Sequence, residues 1–341
     1  MKLSVGYQLA GEDEEPFADI VGEFRSHVAS VYFAWAGHAS GRSPVGVGAG
    51  GVDPDARRRM EADLVALRDL GVGLDLLLNA NCYGGRALSR ALEDEVTALL
   101  AHLADLVGGV DSLTTTSLAV AHMVRGRFPD VEIKASVNMR IGTIQGMAYM
   151  ADLFDAFCVQ REFNRDLAHL RRLKRWADDH GKRLTLLVNS GCLAHCSGQT
   201  FHDNLVAHEA EISDTVNIQG WNPSQCWNYF GDRTHWPSLL QNSWIRPEDL
   251  HHYEGLFAVA KLATRMHASP RRVVQAYCTG RYRGNLLDLF EPNHTPAIAP
   301  YVIDNTRFPD DWFEHTTRCD KRCHACDYCA AVLDRVLVKV E

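Results

Sequence analysis

The chain has no apolar run approaching the roughly 18 residues that a membrane helix requires. Its opening residues, MKLSVGYQLAGEDEE, have no secretory h-region and soon turn acidic. The expectation is a cytoplasmic protein with no membrane partner. Positive charge is short as well: 35 Lys and Arg face 43 Asp and Glu, a formal charge of −8. Without a global positive field, the sequence argues against nucleic acid as a partner. No repeat or low-complexity segment occurs. The hydrolase signatures H-E-x-x-H and G-x-S-x-G are missing too. A peptidase reading is left with a cysteine–histidine pair formed only in three dimensions.

What is present begins with ordinary globular composition: 341 residues, 46% hydrophobic and 23% charged, ample for a large core. Short apolar runs recur at Leu3–Tyr7, Val28–Ala34, Leu74–Asn79, Val110–Thr114, Val131–Val137, Phe154–Val159, Leu184–Asn189 and Leu256–Leu262. Runs of this kind suit strands buried on both faces of a parallel sheet. Between them lie helical patterns. Asp53-Pro54 starts one that stops at Gly71, a second spans Arg86–Val107, and Gly181 closes a third over Asn164–His180. Eight strands alternating with helices predict an α/β fold, a (β/α)8 TIM-like barrel over residues 1–270. The alternative is an open doubly wound sheet. Its fingerprint, Gly46-x-Gly48-x-x-Gly51, falls well beyond the second strand, where a loop is expected. A long insertion, 191–254, separates strands seven and eight and holds Trp221, Trp227, Trp236 and Trp244. Loops of that length in a compact barrel are usually functional. A C-terminal extension, 271–341, carries a cysteine cluster and a final helix over Ala330–Lys339.

Barrel active sites lie where strands end, and here the strand ends are polar. Strand three runs into Asn79, Asn81 and Cys82, and strand four into Thr114–Ser117. Strand five leads to Asn138 and Arg140, strand six to Gln160 and Arg161, and strand seven to Asn189 and Cys192. Each alone can cap a helix or close a turn. Together they form a candidate polar pocket in which Arg140 and Arg161 fork onto a carboxylate.

Ten cysteines in a reducing compartment point to metal ligation or chemistry rather than to disulfides. The tail reads Cys319-x3-Cys323-x2-Cys326-x2-Cys329. Compact runs of this kind are typical of [4Fe–4S] sites, with zinc or free thiols as the alternatives. The first three also match a radical-SAM spacing, but they stand at the wrong end of a barrel and a fourth thiol follows. A second group, Cys192-x3-Cys196 with Cys226 in the insertion, lies on the rim. Three thiolates can hold a cluster with one open iron or recruit a fourth ligand, for which Cys82 is the local candidate. His195 and His202 can ligate, relay protons or merely bond backbone. Cys158 and Cys278 read as core.

The string Ile245-Arg246-Pro247-Glu248-Asp249-Leu250…Tyr253-Glu254, followed by Lys261-Leu262-Ala263-Thr264-Arg265 and preceded by the cysteine-bearing turn, resembles the collagenase-like (U32) "peptidase" family. That family includes UbiU/UbiV-type proteins. The likeness spans roughly residues 1–270. It implies a [4Fe–4S] cluster on four cysteines, with Cys192, Cys196 and Cys226 in the ligand region, and hydroxylation without dioxygen, with prephenate implicated as oxygen donor. The expected function is an iron–sulfur oxidoreductase, a hydroxylase or related group-transfer enzyme, with one or two clusters and a small polar or aromatic substrate bearing a carboxylate. Asn138, Arg140, Gln160, Arg161, Asn189 and His202 would line its site, with an electron donor or partner subunit as companion. The tail would pass electrons or brace the fold, and the Trp-rich insertion would shield the site from water. The competing readings are a non-catalytic iron–sulfur assembly protein, with that insertion as its interface, and a peptidase.

Overall fold

A computed structural model describes residues 1–11, 13–38, 40–42, 47–48, 51–209 and 221–340. Eight parallel strands form a closed barrel: β1 (Lys2–Gly6), β2 (Val28–Ala34), β3 (Gly73–Leu78), β4 (Ser112–Thr115), β5 (Glu132–Ala135), β6 (Ala156–Cys158), β7 (Arg183–Leu187) and β8 (Val259–Leu262). Each falls within or against one of the eight runs read from the sequence. The ring closes where Lys2 pairs with Val259 and Leu3 with Val28. Helices α1 (Phe17–Glu23), α2 (Pro54–Asp69), α3 (Arg90–Val107), α4 (Leu118–Arg127), α5 (Ile144–Tyr149), α6 (Leu167–Asp179) and α7 (Gln199–Ala207) follow the first seven strands in turn. Then come α8 (Gln225–Phe230) and, beyond β8, α9 (Pro270–Thr279), α10 (Thr295–Ile298), α11 (Trp312–Arg318) and α12 (Tyr328–Val336). No described helix is long and apolar enough to cross a membrane.

Local chemistry explains the helix starts. Side chains of Asp53, Ser89, Ser117 and Asp166 accept backbone N–H groups in the first turns of α2, α3, α4 and α6. The buried stripe of α3, at Leu92, Val96, Leu99, Leu100, Leu103 and Val107, recurs at helical spacing. Burying each of these leucines and valines contributes about 1.5–3 kcal/mol.

Three sequence expectations need correction. Asn164 does not begin α6. It is fully buried in the turn before it, where Nδ2 donates to the carbonyls of Leu187 (2.7 Å) and Ser243 (3.0 Å) and its carbonyl accepts the Tyr253 hydroxyl (2.8 Å). Asn164→Ala is therefore expected to lower unfolding free energy by about 2 kcal/mol, since two buried carbonyls lose their donor; a denaturant midpoint measures it. The final helix ends at Val336, because Leu337–Lys339 (β10) pairs antiparallel with Tyr301–Ile303 (β9). And Trp236 and Trp244 do not shield a pocket from water: both are buried in the core, where Trp244 stacks on Phe290 and Trp312. Of the glycine fingerprint, Gly46 lies outside the described residues, while Gly48 and Gly51 pair in a short antiparallel turn.

The barrel interior is less apolar than the strand runs suggest. Thr114 donates to Asp75, Lys134 approaches the same carboxylate at 3.5 Å, and Lys261 lies 3.9 Å from the centre of the Tyr32 ring. Cys158 sits among Leu187 and Ala263.

Candidate functional site

The C-terminal ends of the strands open into a cavity of about 600 Å³. Cys192 and Cys196 line it from the turn after β7, and Cys226 from α8; Asn138, Arg161 and His202 share it. The turn is held from two sides. Asn242 Nδ2 donates to the Gly191 carbonyl (3.1 Å), and Asn242 Oδ1 accepts the Ala194 N–H (3.1 Å). Ser190 bridges to Glu291, and a Cβ on Gly191 would stand 2.1 Å from the Pro292 carbonyl oxygen. Only glycine lets the 290–292 segment cross the cysteine turn so closely. Gly191→Ala is expected to push that segment off the turn and lower thermal stability, with the loss read by calorimetry.

Charge is concentrated here. Arg42 Nε binds Glu291 Oε1 at 2.8 Å. Burial opposes the charge on Arg42, but Glu291, with Cys192 and Asp203, holds its guanidinium well above its ordinary range. Burial also works against ionisation of Glu291, yet Arg42 and Arg265 keep its carboxylate below the usual range. Burial, then Arg42, lowers the His202 imidazole, leaving it neutral near pH 7. Burial, then the Cys192 thiol, raises Cys226 to about 11.

Arg161 is the outlier. It is 5% exposed, and neither Nε nor Nη2 has a hydrogen-bond partner among the described residues. Its nearest carboxylate, Glu162, stands at 3.7 Å. Leaving a charged donor buried and unsatisfied costs more than about 1–3 kcal/mol.

The other residues singled out in the sequence scatter. Arg140 does not line the cavity; its fork is spent on Asp203 and Thr200, both at 3.1 Å, tying the end of β5 to α7. Asn189 is fully buried and saturated, donating to the carbonyls of Ala263 and Leu289 while accepting the Ala263 N–H. The Gln160 side chain lies against Gly142 rather than on the cavity wall. Cys82 accepts the Gly84 N–H and borders a separate cavity with His38 and His208, so it does not join the rim thiols. Sequence reasoning missed Arg42, Glu291 and Arg272 on the cavity wall. Two of them come from beyond the barrel, and no spacing pattern announces them.

His294 is buried against Trp227 and Phe230 of α8, the helix that carries Cys226. Burial lowers its pKa to about 4. Below about 6.5 the unfolded chain takes up a proton that the folded one refuses. Stability should therefore fall by about 3 kcal/mol as pH drops from about 6.5 to about 4. Denaturation curves should show this slope in the wild type and a shallower one in His294→Phe.

The second cysteine group lies close by. Cys319, Cys323, Cys326 and Cys329 border one small cavity. A larger one, about 930 Å³, is lined by Cys319, Cys323 and Cys329 on one side and by the Leu193–Gly198 turn, including Cys196, on the other. Arg165 forms part of its wall. This guanidinium is 7% exposed, donates to the carbonyls of Leu240 and Trp244, and lies over the rings of Trp244 (4.2 Å) and Trp312 (5.2 Å).

No family profile matches the chain. It is 24% identical over 270 residues to the uncharacterized protease MJ1657 of Methanocaldococcus jannaschii, spanning 78% of this chain and 77% of that protein. Among solved structures it resembles the U32 peptidase Mk0906 with a TM-score of 0.55 and 16% identity, over 77% of this chain and 92% of that one. The chain has a (β/α)8 barrel fold, shared with that U32 peptidase, and a sequence relationship to an archaeal protein described as a protease.

Proposed function

We propose that the chain is a UbiU/UbiV-like iron–sulfur enzyme of the U32 family, catalysing an oxygen-independent hydroxylation or related group transfer on a small carboxylate-bearing metabolite. The single observation that carries this reading is the meeting, in one cavity, of three thiols and a buried guanidinium with two donors that make no hydrogen bond. The donor set suits an iron–sulfur cluster: the thiols are soft ligands, and burial, then the neighbouring Cys192 thiol, disfavours ionisation of Cys226 until a cation is present. Among the described residues no three His, Cys, Asp or Glu side chains converge tightly enough for one metal ion. A cluster takes its ligands at wider spacing than a single ion does. When bound, it would supply redox capacity and one iron with no protein thiolate.

The remaining chemistry belongs to the chain's own residues. Arg161 would fork onto the substrate carboxylate. Neutral His202 would accept or return a proton near the reacting carbon. Arg42 and Glu291 would hold the wall rigid. The peptidase reading draws on the names of the relatives. Against it, none of Cys192, Cys196 and Cys226 hydrogen-bonds an imidazole among the described residues. The assembly-protein reading is weakened by the burial of Trp236 and Trp244, which removes two of its four interface tryptophans. Protein purified without oxygen is expected to be brown and to contain iron and acid-labile sulfide. Zinc without iron would refute the proposal, as would peptide cleavage that persists through repurification and vanishes in Cys192→Ser.

A further inference from the structure

The tail thiols have two faces. Cys326 is exposed and lies outside the cavity shared with the rim, whereas Cys319, Cys323 and Cys329 line that cavity, Cys319 and Cys329 half-buried. On the inward side, Cys319 and Cys329 lie within electrostatic reach of buried Arg165. Lys321 Nζ reaches Cys319 Sγ at 3.3 Å. Two cations therefore stand ready to balance a group of thiolates.

The tail needs no metal to be anchored. Val332, Leu333 and Val336 of α12 enter the main core, β9 pairs with β10, and Tyr328 stacks on Trp312. A purely structural staple would add little there. Nor would a staple need one edge open to solvent and the other facing the cavity that Cys196 also lines.

We propose that the four tail thiols hold a second iron–sulfur cluster that relays electrons to the rim, with Cys326 as its outward edge and Cys319, Cys323 and Cys329 facing the cavity shared with the rim. This rests on the reading of the rim thiols as cluster ligands. The step is a one-electron transfer. A reduced iron–sulfur or flavin protein of the ferredoxin or flavodoxin class is oxidised by one electron, and the rim centre is reduced by one. No bond to the protein forms or breaks, and no proton moves.

The test uses the full chain, reconstituted with iron and sulfide without oxygen and reduced with dithionite. About eight irons per chain, about four for each site, are expected. The paramagnetic resonance spectrum should be split or broadened by interaction between two reduced centres. In Cys323→Ser/Cys326→Ser, about four irons should remain, the splitting should vanish, and reduction of the rim by reduced ferredoxin should slow at least tenfold. Zinc in the tail, or two filled iron sites with no magnetic interaction in the wild type, would overturn the relay. So would unchanged reduction by ferredoxin in the double variant. Near-complete iron loss both in that variant and in Cys196→Ser would show one shared cluster and also overturn it. The rim reading stands apart from these outcomes: among the iron counts, it falls if Cys196→Ser loses no iron.

Discussion

Cys196→Ser is expected to remove about half the iron, about four atoms per chain, and to bring turnover down to background. Cys196 is the thiol that borders both the rim cavity and the cavity shared with the tail. Serine keeps the shape of the side chain but offers a harder, poorly ionised oxygen in place of a thiolate. Cys158→Ser is the matched control. That thiol lies in the barrel core beside Leu187 and Ala263, and burial raises its pKa. The control should keep its full iron content and lose about 1–3 kcal/mol of stability through a buried hydroxyl. Iron and sulfide analysis on the two variants side by side separates ligand from core. Equal iron in both would remove Cys196 from the site.

Arg161→Gln is expected to weaken binding of a small carboxylate about 10- to 150-fold, the equivalent of about 1.5–3 kcal/mol for a lost charge-assisted hydrogen bond. The same change should alter stability little, because the relief of two unsatisfied buried donors is offset by the loss of the 3.7 Å contact to the Glu162 carboxylate. A large loss of affinity with little change in stability distinguishes a ligand-binding arginine from a structural one. Arg140→Gln should do the reverse. It breaks the contacts to Asp203 and Thr200, costing at most about 1 kcal/mol for a partly exposed pair, while affinity changes little. Titrations with a panel of small mono- and dicarboxylates, beside melting curves, give both quantities. A lower melting temperature with unaltered affinity in Arg161→Gln would show that the guanidinium serves the fold.

The barrel was legible because its signals are local. A strand buried on both faces must be apolar through a short run, and Val28–Ala34 or Leu184–Leu187 carries that pattern in its own residues. Helix starts were legible for the same reason: Asp53-Pro54 and Ser89 satisfy backbone donors two or three residues away. The rim cysteines were visible because short spacing along the chain forces proximity in space. Cys82, by contrast, is a strand-end residue that borders a different cavity, together with His38 and His208. Strand-end position limits a side chain to the rim but not to one pocket on it.

Pairing over long separations was not legible. Arg140 and Arg161 follow adjacent strands and are chemically equal on paper. One hydrogen-bonds a carboxylate from α7, whereas the other has only its chain neighbour Glu162 at 3.7 Å and keeps two donors unpaired. Which arginine is left with an open fork depends on where α7 packs, and that is an outcome of tertiary contacts. Glu291 reaches the cysteine turn only because the chain returns from beyond β8 to bridge Ser190, and Gly191 lets it pass.

The sequence by itself determined the eight-strand alternation, the placement of Cys192 and Cys196 at one barrel mouth and the four-thiol tail, because each follows from periodicity or close spacing; that Cys226 joins the first two is an outcome of the fold. Only the tertiary structure decided that the tail faces the rim across a cavity bordered by Cys196, that Arg165 is buried beside it, and that Arg161 keeps unsatisfied donors. The physical reason is that satisfaction of a buried charge is a property of its surroundings. Those surroundings are assembled from segments far apart along the chain, and no local pattern encodes them.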